Sequence, residues 1–280
     1  MYTRWSPKLK NWLNRHGTKA LQLGDLNYHV PAGLYQKDLL SIGSRIDEIV
    51  DNGQIIKKEK HSIASVFTIN QVSFFAKHVR FNEKAFHSRL RYIINPSRGY
   101  WCALIAEQIE KSGLHTPRVL AVGDRRRLGL VSDSYIITEF LADAKTADEV
   151  LLSQPNSLAL LEQAGQLLKR LHSCGITHGD IKLSNFYVLG DEMGFWDLDS
   201  AMMFSSFPSQ KWIVRDLGRL LSSFTLIVDE MKETEDSFFS IKHFAHTLAN
   251  SYGIEESVIL NYLESYWFKK MKLKHRALKI

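Results

Sequence analysis

The chain has 280 residues, 45% hydrophobic and 24% charged, an ordinary globular composition for one large domain or two lobes. Its two cysteines, Cys102 and Cys174, make neither a disulfide framework nor a metal-ligand pattern and point to a reducing compartment; with no signal-like apolar segment and no apolar run of about 18 residues, the expectation is a chain neither secreted nor membrane-spanning. The net charge of +6 sits in the last twelve residues, "KKMKLKHRALKI", which hold six basic and no acidic side chains and leave 30 basic against 30 acidic residues elsewhere.

In chain order, residues 1–54 read as mostly helical. Trp5, Leu9, Trp12, Leu13 and His16 recur at helical spacing, and "SIGSRIDEIVDNG" reads as a second short helix stopped at Asn52-Gly53. The stretch "IIKKEKHSIASVFTINQVSFFAKHVRF" then turns β-branched and aromatic, a hairpin or three-strand meander with a turn at Asn70-Gln71. A helix follows from Ser97 to Ser112, ended by Gly113, and "HTPRVLAVGDRRRLGLVSDSYIITEFL" supplies two more strands. After residue 142 the pattern is helical. A helix begins at Pro155-Asn156-Ser157, shows Leu158, Leu161, Gly165, Leu168 and His172 on one face, and stops at Gly175. Beyond it come a polar loop, "GITHGDIKLSNFYV", a small hairpin ending in "FWDLDSA", and helices from about residue 210. Strands first, a connector near 140–145, and helices last imply two lobes with a cleft between them.

The polar loop carries the chemistry. Phosphoryl transfer from ATP needs a carboxylate to orient the acceptor hydroxyl, oxygen ligands for Mg²⁺ and a cation on the phosphates. Asp180 and Asn185 stand at the D-x-x-x-x-N spacing of a kinase catalytic loop. Lys182 can reach the transferred phosphate, and Asp197, twelve residues after Asn185, ends an apolar strand where a second metal ligand belongs. Upstream, "SFFAK" ends a strand with Lys77 in the place of the kinase β3 lysine, and "SYIITEFL" runs toward an interlobe hinge. Any one of these is a common accident of sequence; their order and spacing together are not.

"HGDIKLSNFYV", "GFWDLDSA", "VRDLGRLL", "NPSRGYW" and "SGLHTPRVLAVGDRR" resemble the bacterial lipopolysaccharide core kinases, which phosphorylate Kdo or heptose sugars, over about residues 58–225. The resemblance implies an α+β, protein-kinase-like two-lobe fold, with a β-rich N-lobe and a mostly helical C-lobe. It also implies that Asp180 is the catalytic base, that Asn185 and Asp197 hold Mg²⁺, and that Lys77 contacts the α/β-phosphates of ATP. The backbone of Glu139 and Leu141 would meet adenine. Glu107, with Glu110 as rival, is the candidate partner of Lys77; Asp199 is either a further acidic ligand or a hydrogen-bonder, and His178 and Asp216 are read as braces of the loop. The His-Gly-Asp form, shared with aminoglycoside and choline phosphotransferases, points to small hydroxyl acceptors. One departure stands out: no G-x-G-x-x-G precedes Lys77.

The expected organisation is a helical extension over 1–54, an N-lobe over 55–142 and a C-lobe over 143–280 with a basic tail. The expected partners are the Kdo/heptose region of the lipopolysaccharide core and an anionic membrane surface, at the cytoplasmic face of the inner membrane; nucleic acid is not the expected partner. The alternatives are a small-molecule phosphotransferase of the aminoglycoside or choline type and a nucleotide-binding pseudokinase scaffold.

Overall fold

The computed structural model describes residues 7–81, 89–90, 92–93, 95–153, 158–230 and 236–277. Trp5, the helix start at Pro155-Asn156-Ser157 and the terminal Leu278, Lys279 and Ile280 lie outside the described residues. The chain divides into two compact units, residues 1–107 with 117–142, and residues 108–116 with 143–280.

Among the described residues the first unit is built on a seven-stranded antiparallel sheet. Its order is β1 (Lys19–Leu23), β2 (Leu26–Val30), β6 (Val119–Arg127), β7 (Leu130–Glu139), β5 (Val72–Arg80), β4 (Ser62–Ile69) and β3 (Gln54–Glu59). The meander read from the β-branched run forms β3, β4 and β5. At its second turn Asn70 and Gln71 are both left-handed (φ 48° and 67°), the conformation of a two-residue hairpin whose twist matches its strands. Residues 1–54 depart from the helical expectation. They hold α1 (Pro7–Arg15), α2 (Gln36–Ser41) and α3 (Ile46–Asn52), but also the β1–β2 hairpin, which enters the sheet through β2 beside β6.

Helices α2 and α3 cover one sheet face. Leu39, Ile42, Ile46 and Val50 form a buried cluster with Phe67, Phe74, Ala76, Tyr135 and Ile137, each leucine, isoleucine, valine or phenylalanine contributing about 1.5–3 kcal/mol on burial. Asp47 and Asp51, one helical turn apart on α3, fix the docking. Asp47 takes the Arg125 guanidinium at 2.6 Å and the Tyr135 hydroxyl, while Asp51 takes Arg80 at 2.6 Å. Because strand side chains alternate, Phe74 and Ala76 facing this cluster put Lys77 on the opposite face, beside its ladder partners Ala64 and Ile136.

The second unit is mostly helical: the end of α4 (Arg98–Lys111), α5 (Ala147–Ser153), α6 (Leu158–Ser173), α7 (Gln210–Glu230), α8 (Asp236–Tyr252) and α9 (Glu256–Ala277). In α6 the buried positions 160, 161, 164, 167, 168 and 171 repeat every three or four residues, an apolar stripe that seats the helix against its neighbours. Among the described residues two small antiparallel sheets complete it. One pairs β8 (Lys145–Thr146), β10 (Phe186–Leu189) and β11 (Glu192–Phe195); the other pairs β9 (Ile176–Thr177) with β12 (Met202–Met203). Among the described residues no helix is long and apolar enough to cross a membrane.

Candidate active site

The loop between β9 and β10 takes its shape from a buried acceptor outside it as well as from its own residues. Asp216, fully buried on α7, receives the backbone N–H of His178 at 2.8 Å on one carboxylate oxygen and that of Gly179 at 3.0 Å on the other. His172, at the end of α6, meets the same carboxylate at 3.3 Å through Nε2 and the Tyr252 hydroxyl at 2.7 Å through Nδ1. Burial, and secondarily the Asp216 charge, push the Tyr252 phenol far above its ordinary value. The hydroxyl therefore stays protonated; a carboxylate only accepts, so the His172 end facing Asp216 is Nε2–H, which donates.

His178 is buried and donates from Nε2 to the Trp196 carbonyl at 2.9 Å; its Nδ1 is buried without a hydrogen-bond partner among the described residues. This is the bracing role read from the sequence, and it ties the loop to the strand end that carries Asp197. Gly179 permits the turn. Its φ of 79° is left-handed, and a Cβ there would stand 2.2 Å from the Ser200 carbonyl oxygen, so no L side chain fits.

The residues singled out on this loop come together. Asp180 is exposed at its tip, while the side-chain NH₂ of Asn185 donates at 2.8 Å to the Asp180 carbonyl and so closes the five-residue span. The Asn185 N–H returns to the Lys182 carbonyl at 2.9 Å, and Trp196 N–H bonds the Asn185 carbonyl at 3.0 Å, so the segment leading to Asp197 is laced to the loop. Asp197 is exposed and left-handed, at φ 52° and ψ 61°. A non-glycine residue in that region costs on the order of 1–3 kcal/mol and is concentrated at functional sites. Asp199 sits in the single 3₁₀ turn that follows.

The remaining candidates belong to the first unit. Lys77 lies within β5, three residues before its end at Arg80, rather than ending the strand, because the ladder with β4 and β7 runs on past it. Glu139 ends β7; its carboxylate accepts the Arg118 N–H at 2.8 Å, and its own N–H bonds the Arg118 carbonyl at 3.1 Å. Leu141 follows two residues on, half-buried. Glu107 on α4 receives Arg15 Nη1 at 2.6 Å and lies 3.4 Å from His16 Nε2, a contact with the end of α1 that the sequence reading did not foresee. The β3–β4 connection, where a glycine-rich loop would stand, is a two-residue turn of Lys60 and His61. A cavity of about 520 Å³ lies elsewhere in this unit, between α3 and the β4–β5 end, lined by Arg45, Asn52, Phe67, Thr68 and Phe140.

Two arginines escaped the sequence reading. Arg219 on α7 donates from Nη1 to the Asp180 carboxylate at 2.6 Å and to the Gly179 carbonyl at 2.5 Å; Arg215 Nη2 reaches the same carbonyl at 2.9 Å. The available signal was their i, i+4 spacing astride Asp216 in "VRDLGRLL", which places all three toward one side of the helix.

Residues 72–242 match the sequence model of the lipopolysaccharide kinase (Kdo/WaaP) family. The chain belongs to that family. Within the Kdo/WaaP family it is 26% identical to the 3-deoxy-D-manno-octulosonic acid kinase of Vibrio parahaemolyticus over 116 residues, 40% of this chain and 46% of the relative. It is 27% identical to the enzyme of the same name from Haemophilus influenzae over 130 residues, 45% of this chain and 54% of the relative. The match thus spans about half the length of these curated relatives. A solved structure of WaaP in complex with acyl carrier protein superposes with a TM-score of 0.55 at 18% identity, covering 81% of this chain and 91% of that one. At such identity the likeness speaks to fold alone, a protein-kinase-like fold with one β-rich unit and one mostly helical unit.

Proposed function

We propose that this chain is an ATP- and Mg²⁺-dependent kinase that phosphorylates a sugar hydroxyl, of Kdo or heptose, in the lipopolysaccharide inner core. The observation that carries this reading is the exposed Asp180 carboxylate, on a loop whose backbone is fastened by Asp216 and closed by Asn185. It joins membership of a lipopolysaccharide kinase family to a loop that presents a carboxylate of the kind the transfer requires.

The donor set fits Mg²⁺. Asn185 commits its NH₂ to the backbone, leaving the amide oxygen as a ligand, and Asp197 adds a carboxylate. A hard cation that keeps several waters and binds through one or two protein oxygens plus substrate phosphates suits such a pair. When bound, the ion neutralises charge on the β- and γ-phosphate oxygens. Asp180 orients the acceptor hydroxyl and takes its proton as the new O–P bond forms; the bond from the γ-phosphorus to the bridging oxygen breaks and ADP leaves with those electrons. Lys182 lends positive charge to the transferred group, and Lys77 holds the α/β-phosphates. The Glu139 carbonyl and Leu141 N–H serve adenine, while the Glu139 side chain is turned to Arg118.

The basic tail of the sequence, whose side chains lie outside the described residues, holds the enzyme at the anionic inner face of the inner membrane, where a lipid-linked acceptor is presented. The test is mass spectrometry of core oligosaccharide from cells with and without the gene, together with cells carrying Asp180→Asn. Loss of one phosphate in both the deletion and the variant is expected. Unchanged core in the deletion overturns the acceptor assignment, and wild-type phosphorylation by a folded Asp180→Asn protein overturns the site.

A further inference from the structure

We propose that Arg219 is a positioning residue: it sets the direction of the Asp180 carboxylate toward the acceptor hydroxyl and is itself held by Tyr266 of α9. The inference rests on the reading of Asp180 given above.

An ion pair this exposed is not a stability device. The Asp180 side chain is 52% exposed and that of Arg219 24%, and pairs at such exposure contribute little to folding. What the pair does is geometric. A single nitrogen, Nη1, donates both to the Gly179 carbonyl and to the Asp180 carboxylate, so the peptide leading into Asp180 and the side chain leaving it are referred to one point. The Gly179 carbonyl is held again by Arg215, and the Gly179 N–H by Asp216. The backbone would therefore keep its place without Arg219, but the exposed carboxylate would be returned to its several staggered rotamers. A carboxylate that must meet a hydroxyl within about 0.5 Å and 10–20° needs such support.

Arg219 also meets an aromatic side chain of α9. Its Cζ lies 5.7 Å from the centre of the Tyr266 ring, and Tyr266 stacks on Tyr262, with centroids 6.2 Å apart and planes 14° from parallel. Tyr262 in turn packs on Gly218, where a Cβ would stand 2.2 Å from its ring. The missing side chain at 218 lets α9 come close enough to α7 for the second tyrosine to reach the guanidinium.

The experiment is steady-state kinetics of the full chain with ATP and a Kdo-terminated core oligosaccharide. It compares wild type, Arg219→Ala, Arg219→Lys, Asp180→Asn, the Arg219→Ala/Asp180→Asn double variant and Tyr266→Ala. Misplacing a reacting group by about 1 Å costs on the order of 10²-fold, so Arg219→Ala should lower kcat by roughly 10–100-fold with KM for both substrates within about twofold. Added guanidinium should recover part of the loss. Arg219→Lys, which keeps the charge without the planar fork, should fall between, and remains informative if the alanine variant does not fold. Tyr266→Ala should cost about 2–5-fold, the scale of an exposed cation–π contact.

Acting through Asp180, Arg219→Ala should add nothing to Asp180→Asn. A higher kcat in Arg219→Ala would make the contact a restraint and overturn the proposal; so would a change confined to the acceptor KM, or a full further loss in the Asp180→Asn background. Normal turnover by Asp180→Asn with a large loss in Arg219→Ala would instead refute the role of Asp180 while showing that Arg219 acts on its own.

Discussion

Removing the Asp216 carboxylate should loosen the 178–185 loop before it unfolds the unit. Asp216→Ala deletes the acceptor of two buried N–H groups, of His178 and Gly179, and the partner of His172 Nε2. Hydrogen bonds to a charged acceptor contribute roughly 1.5–3 kcal/mol each, so the two backbone bonds alone give about 3–6 kcal/mol; shared relaxation favours the lower half, about 4 kcal/mol. At about 1.4 kcal/mol per tenfold, loop opening becomes roughly 10³-fold more frequent. Site-resolved amide hydrogen exchange reads this directly: the His178 and Gly179 amides should lose about three decades of protection, while Leu168 and Leu171 in α6 change far less. Asp216→Asn, which keeps one acceptor oxygen for two donors, should fall between. Exchange at 178 and 179 unchanged within about threefold would refute the bracing role. Equal loss along α6 would show that the carboxylate supports the whole unit and that the local arithmetic is wrong.

Burial lowers the His29 imidazole from its ordinary 6.5 to about 4. The unfolded chain then binds the extra proton between those values, so the contribution is complete above pH 6.5 and lost as pH falls to about 4, on the order of 3 kcal/mol in all; urea titrations across this range should show it, and His29→Gln should flatten the slope. Asn185→Ala and Asp197→Ala should each weaken Mg²⁺-dependent stabilisation by ATP in thermal-shift titrations, with less than additive loss in the pair, and equal ATP stabilisation of wild type with and without Mg²⁺ would sink the metal assignment. A Thr138→Trp variant should block nucleotide binding beside Glu139, and normal ATP affinity would move the pocket elsewhere. A chain ending at Phe268 should lose sedimentation with anionic vesicles while keeping transfer to a soluble core fragment, since basic residues near such a surface contribute about 1 kcal/mol each; equal sedimentation would leave the tail without a membrane role.

What could be read without coordinates was what is local. The 180–185 spacing, the Asn70-Gln71 turn and the apolar stripe of α6 are each set within a few residues, and each is visible as pattern. The β1–β2 hairpin was not. Its strands are five residues long, and β2 finds its neighbour only when Leu26 meets Arg125, a pairing no short window contains. Glu107, with Glu110 as rival, was read only as a candidate partner of Lys77; that Arg15 and His16 also reach it, from 92 and 91 residues earlier in the chain, no local pattern announces. Arg219 drew no reading at all, because nothing in its own neighbourhood announces Asp180, 39 residues earlier.

The order of strands in the large sheet also governs how the protein can be made. β6 and β7 lie at its centre, between β2 on one side and β5 on the other, yet they leave the ribosome after both flanks. Until residue 139 has emerged, the β1–β2 hairpin and the β3–β5 meander are two separate ribbons, and the two-stranded one is at best marginally stable in water. The nascent chain must therefore carry unpaired edges through roughly the first half of its synthesis. No cut at a single peptide bond yields the first unit intact, because residues 108–116 belong to the second. A fragment ending at residue 107 would lack the strands that stitch its sheet, and expression of the β-rich unit alone needs a rejoined chain in which 117–142 follow 107 directly.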